Sequence, residues 1–428
     1  MTLKQLNIFN VDNGKILLLF FTISIYLPMI FTNVMSALLI IYVVLNIKNL
    51  DHTALKGNKI VRLMTALYLL VFLGFFYEIN TEGVFNDLEK KLSFLILPTA
   101  VCVMKISKQD VRKVLALFFF SGFLFTSIAF CEGLLELIDT KNVDAITNHN
   151  FSLNINLHAT YLSMYLLFSL AYPLFFYNTL SKTRDKVITV FIAFSITAFL
   201  MLLSVRIIWV LLFIVFITHF SRVFSNNRVR LMFLIFAKVL IFAALIYSVP
   251  SLKERFKEAI NYNNEYRVSS VWKKDVKEVW GGRGIRMLIW ESCIDLIKQK
   301  PLTGYGSTTE VQKQLNNYYT KEKIGPLLFM INNRGKAFNP HNQYLEEILK
   351  FGIFMGLIYF CLGLYFFQRY YRKGNMIGVF FVTIIFGVSL TETIFELNKG
   401  VVFISFFFPI VNSYLEDKPP KKVKRQKK

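Results

Sequence analysis

The chain is 428 residues long and 55% hydrophobic, with 45 Phe and a formal net charge of +22. Its mean hydropathy is +0.48, more apolar surface than one soluble core of this length can enclose, so the excess must face lipid. The charge would suit nucleic acid, but the basic residues stand in short clusters between apolar runs, where they act as topology signals and contacts for anionic lipid head groups. Nucleic acid is therefore excluded as a partner, and membrane lipids are expected. The 4 Cys form no CxxC pair, which argues against a disulfide framework and a thiolate metal site.

Lys4 and Lys15 precede the first apolar run, and no small-residue cleavage site follows. That run is expected as a retained membrane helix rather than a signal peptide. In chain order, runs long enough to cross or nearly cross a hydrocarbon core are 16–32, 33–47, 60–78, 91–105, 112–136, 158–177, 187–204, 207–221, 230–249, 350–369, 376–392 and 400–415. A core of about 30 Å sets the length criterion. The fold expected is all-α and polytopic, with about twelve transmembrane helices. Residues 1–249 hold helices 1 to 9, 250–340 a large partly helical loop, 341–415 helices 10 to 12, and 416–428 a basic cytoplasmic tail.

With the N-terminus inside, the inner connections carry Lys48, Lys56, Lys59 and Arg62, then Lys105, Lys108, Arg112 and Lys113. Lys182, Arg184, Lys186, Arg222, Arg228, Arg230, Arg369, Arg372 and Lys373 follow on the same side. The outer connections are acidic, with Glu78, Glu82, Asp87 and Glu89, then Glu132, Glu136, Asp139 and Asp144. This is the positive-inside pattern. The loop 250–340 is the exception, with 16 Lys+Arg against 9 Asp+Glu on the outer side. Either it is a solvated surface with a basic bias, or its guanidinium groups hold an anionic ligand. Within it, GIRMLIWESCIDLIKQK reads as a helix with Met287, Trp290, Ile294 and Ile297 on one face, closed by Pro301 and the glycines of PLTGYGS.

Several residues stand where chemistry could occur. Arg206 lies between two apolar runs at the outer membrane boundary, where charge is expensive without a partner or a purpose; a snorkelling turn arginine is the plainer reading. Arg286 lies on the loop helix, and Arg334 in NNRGKAFNPHN just before helix 10. His341 opens PHNQYLEEILKFGIFMGL, and His158 opens another outer helix start. Each is either a cap neighbour or a group able to take a proton near neutral pH. Glu346 and Glu347 follow one turn after His341, as orienting groups or as ordinary first-turn acids. The outer side shows no Asp-x-Asp pair and no His/Cys cluster, so no metal or other cofactor is expected.

The order of these elements resembles the signature of the O-antigen ligase and O-antigen polymerase families. That signature appears here as Arg286, Trp290, Pro301-Leu302-Thr303-Gly304-Tyr305-Gly306, then His341-Asn342-Gln343-Tyr344-Leu345, with Gly352 and Gly356 beyond. The Ser-Arg element of these families is loosened to Ser204-Val205-Arg206. The resemblance implies a GT-C-like glycosyltransferase of the bacterial inner membrane with its active site facing the periplasm. Its donor would be an undecaprenyl-diphosphate-linked glycan, and its acceptor lipid A-core or another glycan. Arg206 and Arg286 would handle the diphosphate, and His341 would act at the acceptor hydroxyl; Arg334, Tyr344, Glu347 and His158 would contact substrate. A polymerase and a protein O-oligosaccharyltransferase share this chemistry and remain open, with ligase preferred on the PLTGYG…HNQYL block. A transporter or flippase would show repeated halves with broken helices, and none is visible.

Overall fold

The computed structural model describes residues 11–46, 58–76, 81–104, 106–223, 282–334 and 338–415. All regular structure within them is helical. The first part holds α1 (Val11–Ser24), α2 (Met29–Leu45), α3 (Lys59–Leu70), α4 (Glu82–Lys91), α5 (Ser93–Val103), α6 (Lys108–Thr140), α7 (Asn148–Leu153), α8 (Ala159–Ser169), α9 (Ala171–Phe176), α10 (Thr183–Leu202) and α11 (Arg206–Val223). The second holds α12 (Gly282–Gln299), α13 (Thr308–Lys321), α14 (Gly325–Arg334), α15 (Gln343–Phe351), α16 (Ile353–Arg372), α17 (Met376–Val388) and α18 (Asn398–Ser413).

Among the described residues, five helical runs are long and apolar enough to cross a membrane: Lys59–Phe76, Lys108–Thr140, Ala159–Thr179, Thr183–Leu202 and Ile353–Arg372. Shorter apolar helices cover Gly14–Ser24, Met29–Leu45, Arg206–Phe216 and Met376–Val388. The expected span 230–249 lies outside the described residues. Outward faces are apolar, as lipid requires: Phe191 and Phe194 on α10 are 62% and 67% exposed, and Phe354 on α16 is 62% exposed. This is the pattern of a membrane protein.

α6 runs 33 residues because Ser107 and Asp110 close a capping box at its start, and nothing breaks it before Lys141. The centre of the bundle is α8, buried along its whole length, and α18, buried from Gly400 to Asn412. Their rings interlock, with Tyr165 against Phe403 at 4.8 Å and Phe168 against Phe407 at 5.0 Å. The bundle has two distinct ends. At one, Lys15 pairs with Asp110 at 2.8 Å and Lys59 reaches the Tyr365 hydroxyl at 3.4 Å, while Lys108 lies 5.5 Å over the Tyr414 ring. At the other, Lys399 donates to the carbonyls of Ile25 and Leu27 just past α1.

Two expected spans begin differently from the sequence reading. Lys91 is not the first residue of a lipid-facing helix; it is buried in an ion pair with Glu396 at 3.0 Å. Lys350 is likewise buried, in the last turn of α15, and the helix that continues past it starts afresh after Gly352. Gly352 has φ +84°, and a Cβ there would sit 2.1 Å from the Leu302 carbonyl oxygen. Gly304, at φ +69°, leaves equally little room against the Lys350 carbonyl, 2.5 Å away. Through these two positions the turn 301–306 lies on the end of α15. Tyr305 and Gly306 donate to the carbonyls of Leu349 and Lys350 at 2.8 and 2.9 Å, and Ile353 donates to Pro301 at 2.9 Å. The glycine-rich turn is thus a C-cap supplied from a distant part of the chain.

The described part of the large loop has its own core, built from Leu288, Ile289, Cys293 and Leu296 of α12, Val311, Leu315 and Tyr319 of α13, Leu327 of α14, and Leu349 of α15. The buried face of α12 coincides with the expected one only in part: Trp290 and Ile297 pack against this core, whereas Met287 and Ile294 are 37% and 47% exposed. The adjacent stripe is buried because α13 packs on that side.

Candidate active site

α17 ends at Val388, and the chain turns through 389–397 before α18. The backbone N–H of Glu392 donates to Val388 at 3.0 Å, which holds Glu392 just past the helix end. Its side chain is nearly fully buried and meets two groups from elsewhere in the chain. Arg286 Nη2 lies 3.2 Å from Oε1, and His341 Nδ1 lies 3.3 Å from Oε2. Burial pushes the Glu392 carboxyl up, but the hydrogen bond with His341 and the charges of His341, Arg286 and His158 outweigh it and hold it below its ordinary value.

The HNQ tripeptide is fixed to this turn atom by atom. The His341 backbone, at φ +46°, donates to Asn339 Oδ1 at 2.9 Å. Asn342 caps α15 by accepting from the N–H of Tyr344 and Leu345 at 2.9 and 3.2 Å, and its amide donates to Leu390 at 3.2 Å. Gln343 donates its N–H to Ser389 and accepts from Phe395, both at 2.8 Å. Arg286 and Trp290 are four apart on α12 and so share a face. The Trp290 indole donates to the Pro340 carbonyl at 2.9 Å, tying that face to the residue before His341.

Arg206 starts α11, half-buried, after Ser204 at φ +55°. Leu211 of α11 packs on Gly387 of α17, where an added Cβ would come within 2.5 Å of it. The head of α11 therefore lies beside the tail of α17, at the same end of the bundle as Glu392. His158 is exposed and caps α8, its Nδ1 accepting from Thr160 at 3.3 Å, with its ring 4.4 Å from that of His149. Tyr344 is half-buried, donates to the Phe386 carbonyl at 3.1 Å and packs its ring at a tilt against Tyr359, 5.0 Å between centroids. Arg334 closes α14, and its side chain lies outside the described residues. Glu347 turns away from His341 and accepts from the Gln343 amide at 2.8 Å.

Residues 189–361 match the model of a family described as O-antigen ligase. The chain carries an O-antigen ligase domain. No curated protein matches it. The matched segment includes Arg206, Arg286 and His341 but stops before Glu392, so one partner of the arginine and histidine lies outside it. The family is one of glycosyltransferase-like ligases and polymerases that act on glycans and lipid-linked substrates.

A second polar group underlies the ligase domain. Lys350 Nζ lies 3.0 Å from Asp87 Oδ2, 2.9 Å from Thr308 Oγ1 and 3.2 Å from Glu396 Oε2, with Lys350, Asp87 and Glu396 all almost wholly buried. The Thr308 N–H adds a bond to Asp87 at 2.9 Å. Burial pushes Asp87 and Glu396 up, and the charges of Lys350 and Lys91 more than reverse it, so both are held low. Burial opposes the Lys350 charge, yet Asp87 and Glu396 raise it well above its ordinary value. Glu346, buried beside them, is pushed up by burial and by Glu396. The sequence reading missed Glu392, Glu396 and Lys350, and counted Asp87 as a topology acid. The available signal was two acids four apart in TETIFE, between two strongly apolar runs, where unpartnered charge is expensive.

Proposed function

We propose that the protein transfers a glycan from an undecaprenyl-diphosphate carrier to an acceptor hydroxyl of lipid A-core, at the periplasmic face of the bacterial inner membrane. One observation carries this reading: Arg286 and His341, from separate segments, lie against one carboxylate at one end of a membrane bundle. In the reaction the bond between the anomeric carbon and the diphosphate oxygen breaks, and the acceptor oxygen bonds to that carbon. The acceptor proton passes to His341 Nε2, and the carrier leaves as its diphosphate. Arg286 and Arg206 stabilise the charge that builds on the departing diphosphate, as fixed guanidinium groups can without a metal. His158 and Arg334 contact the substrates, while Tyr344 and Glu347 act through α15. The orientation is supported by the Lys15, Lys59 and Lys108 end of the bundle lying opposite this site, since basic ends stay in the cytoplasm.

The test is deletion of the gene followed by gel analysis of surface polysaccharide. Loss of all capped lipid A-core with accumulation of carrier-linked polymer is the expected result. Capping by single repeats only would mean a polymerase, and an unchanged ladder would overturn the reading. Impermeant maleimide should label cysteines placed in 282–334 from outside and leave the tail 416–428 untouched.

A further inference from the structure

We infer that Glu392 is a positioning residue for this reaction, orienting His341 through one carboxylate oxygen and aiming Arg286 through the other. The inference rests on the transfer reaction proposed above and deepens it. His341 meets Glu392 through Nδ1 at 3.3 Å. A carboxylate at that nitrogen accepts its proton, which leaves the lone pair on Nε2 and turns that atom outward. The imidazole is 29% exposed while the carboxylate is 8% exposed, so the Nε2 side is the one left for an acceptor hydroxyl. When Nε2 takes the acceptor proton, the resulting imidazolium lies against a negative charge already in place.

The other oxygen holds Arg286 Nη2 at 3.2 Å, and the guanidinium remains 39% exposed. One nitrogen is thus anchored, while the rest of the fork is open to a diphosphate. Glu392 itself is fixed by the backbone bond to Val388 and flanked by the Asn342 bond to Leu390 and the Gln343 bond to Ser389. Donor-binding and proton-accepting groups are therefore held in register by one side chain.

The experiment uses the full-length protein in detergent, with an undecaprenyl-diphosphate-linked glycan and lipid A-core as substrates. Glu392→Gln keeps the shape and loses the charge; it is expected to lower kcat roughly 10²–10⁴-fold, the range of a lost general base. It should also raise the donor KM several-fold while leaving the acceptor KM near wild type. Glu392→Asp should recover part of kcat. The deciding comparison is a double-mutant cycle: on the His341→Ala background, adding Glu392→Gln should cost little more, because residues acting as a unit are non-additive. Full additivity, or wild-type kcat for Glu392→Gln at normal expression, would overturn the inference. Those outcomes presuppose that wild type transfers glycan and that His341→Ala transfers it measurably but far more slowly; a wild-type protein with no transfer activity would instead sink the underlying reaction.

Discussion

Lys350→Met removes the cation at the centre of the buried group and keeps most of its volume. Asp87 and Glu396 are then left with Lys91 as their remaining cationic partner, 3.0 Å from Glu396. Removing one partner of a buried ion pair costs about 3–5 kcal/mol. A ceiling follows from protonation: neutralising one carboxylate at pH 7.5, against an ordinary value near 4, costs about 5 kcal/mol. At roughly 2 °C per kcal/mol, the melting temperature should fall by about 6–10 °C. Heating the detergent-solubilised protein and following the monodisperse fraction by size exclusion measures this. pH supplies a second, signed check. Asp87 and Glu396 are held low in the folded protein, so their stabilisation is full above about pH 4 and is lost as pH falls further. In the variant the unbalanced carboxylate is relieved by acid, so its deficit against wild type should shrink toward pH 4. Lys350→Met/Glu396→Gln, which leaves Lys91 balanced by Asp87, should be less destabilised than the sum of the single changes. A deficit under about 1 kcal/mol at pH 7.5, or one that does not shrink on acidification, would refute the reasoning.

Three further outcomes are expected. Gly352→Ala should abolish accumulation of folded protein, because the added carbon meets the Leu302 carbonyl at 2.1 Å; Gly374→Ala, at φ +72° with no neighbour within 4 Å, should cost only about 1 kcal/mol. Western blotting against a thermal-stability assay separates the two. His341→Ala should cut the transfer rate roughly 10²–10⁴-fold, whereas His158→Ala should be much milder in the same assay. Transfer by the purified protein should persist in EDTA; abolition by the chelator with rescue by magnesium or manganese would defeat the reading in which arginines supply the charge.

The lipid-facing runs were readable in the sequence because their signal is local: twenty or so apolar residues in a row need no partner to be recognised. The Arg286, Trp290 and His341 pattern was readable as a likeness, and the structure brings Arg286 and His341 to one carboxylate and ties Trp290 to the residue before His341. The buried charges were not readable, because their partners are far away in sequence. Asp87 and Lys350 are 263 positions apart, and each looked ordinary alone: an acid in an outer connection, and a lysine at the edge of an apolar run. Glu392 was hidden in a different way, counted as the last residue of span 376–392, whereas α17 ends at Val388. The face of α12 was misjudged at Met287 and Ile294 because two adjacent apolar stripes compete there. Only the packing of α13 chooses between them.

The interlocked Gly304 and Gly352 bear on how loss-of-function genetics of this chain should be read. A screen for strains lacking surface polysaccharide will collect lesions at both glycines alongside those at His341, and by phenotype they will be indistinguishable. Yet the glycines touch no reacting atom; they let a turn from one part of the chain close the end of a helix from another. Essential positions in the glycine-rich turn therefore report assembly, and protein abundance has to be scored beside activity before any of them is counted as chemistry.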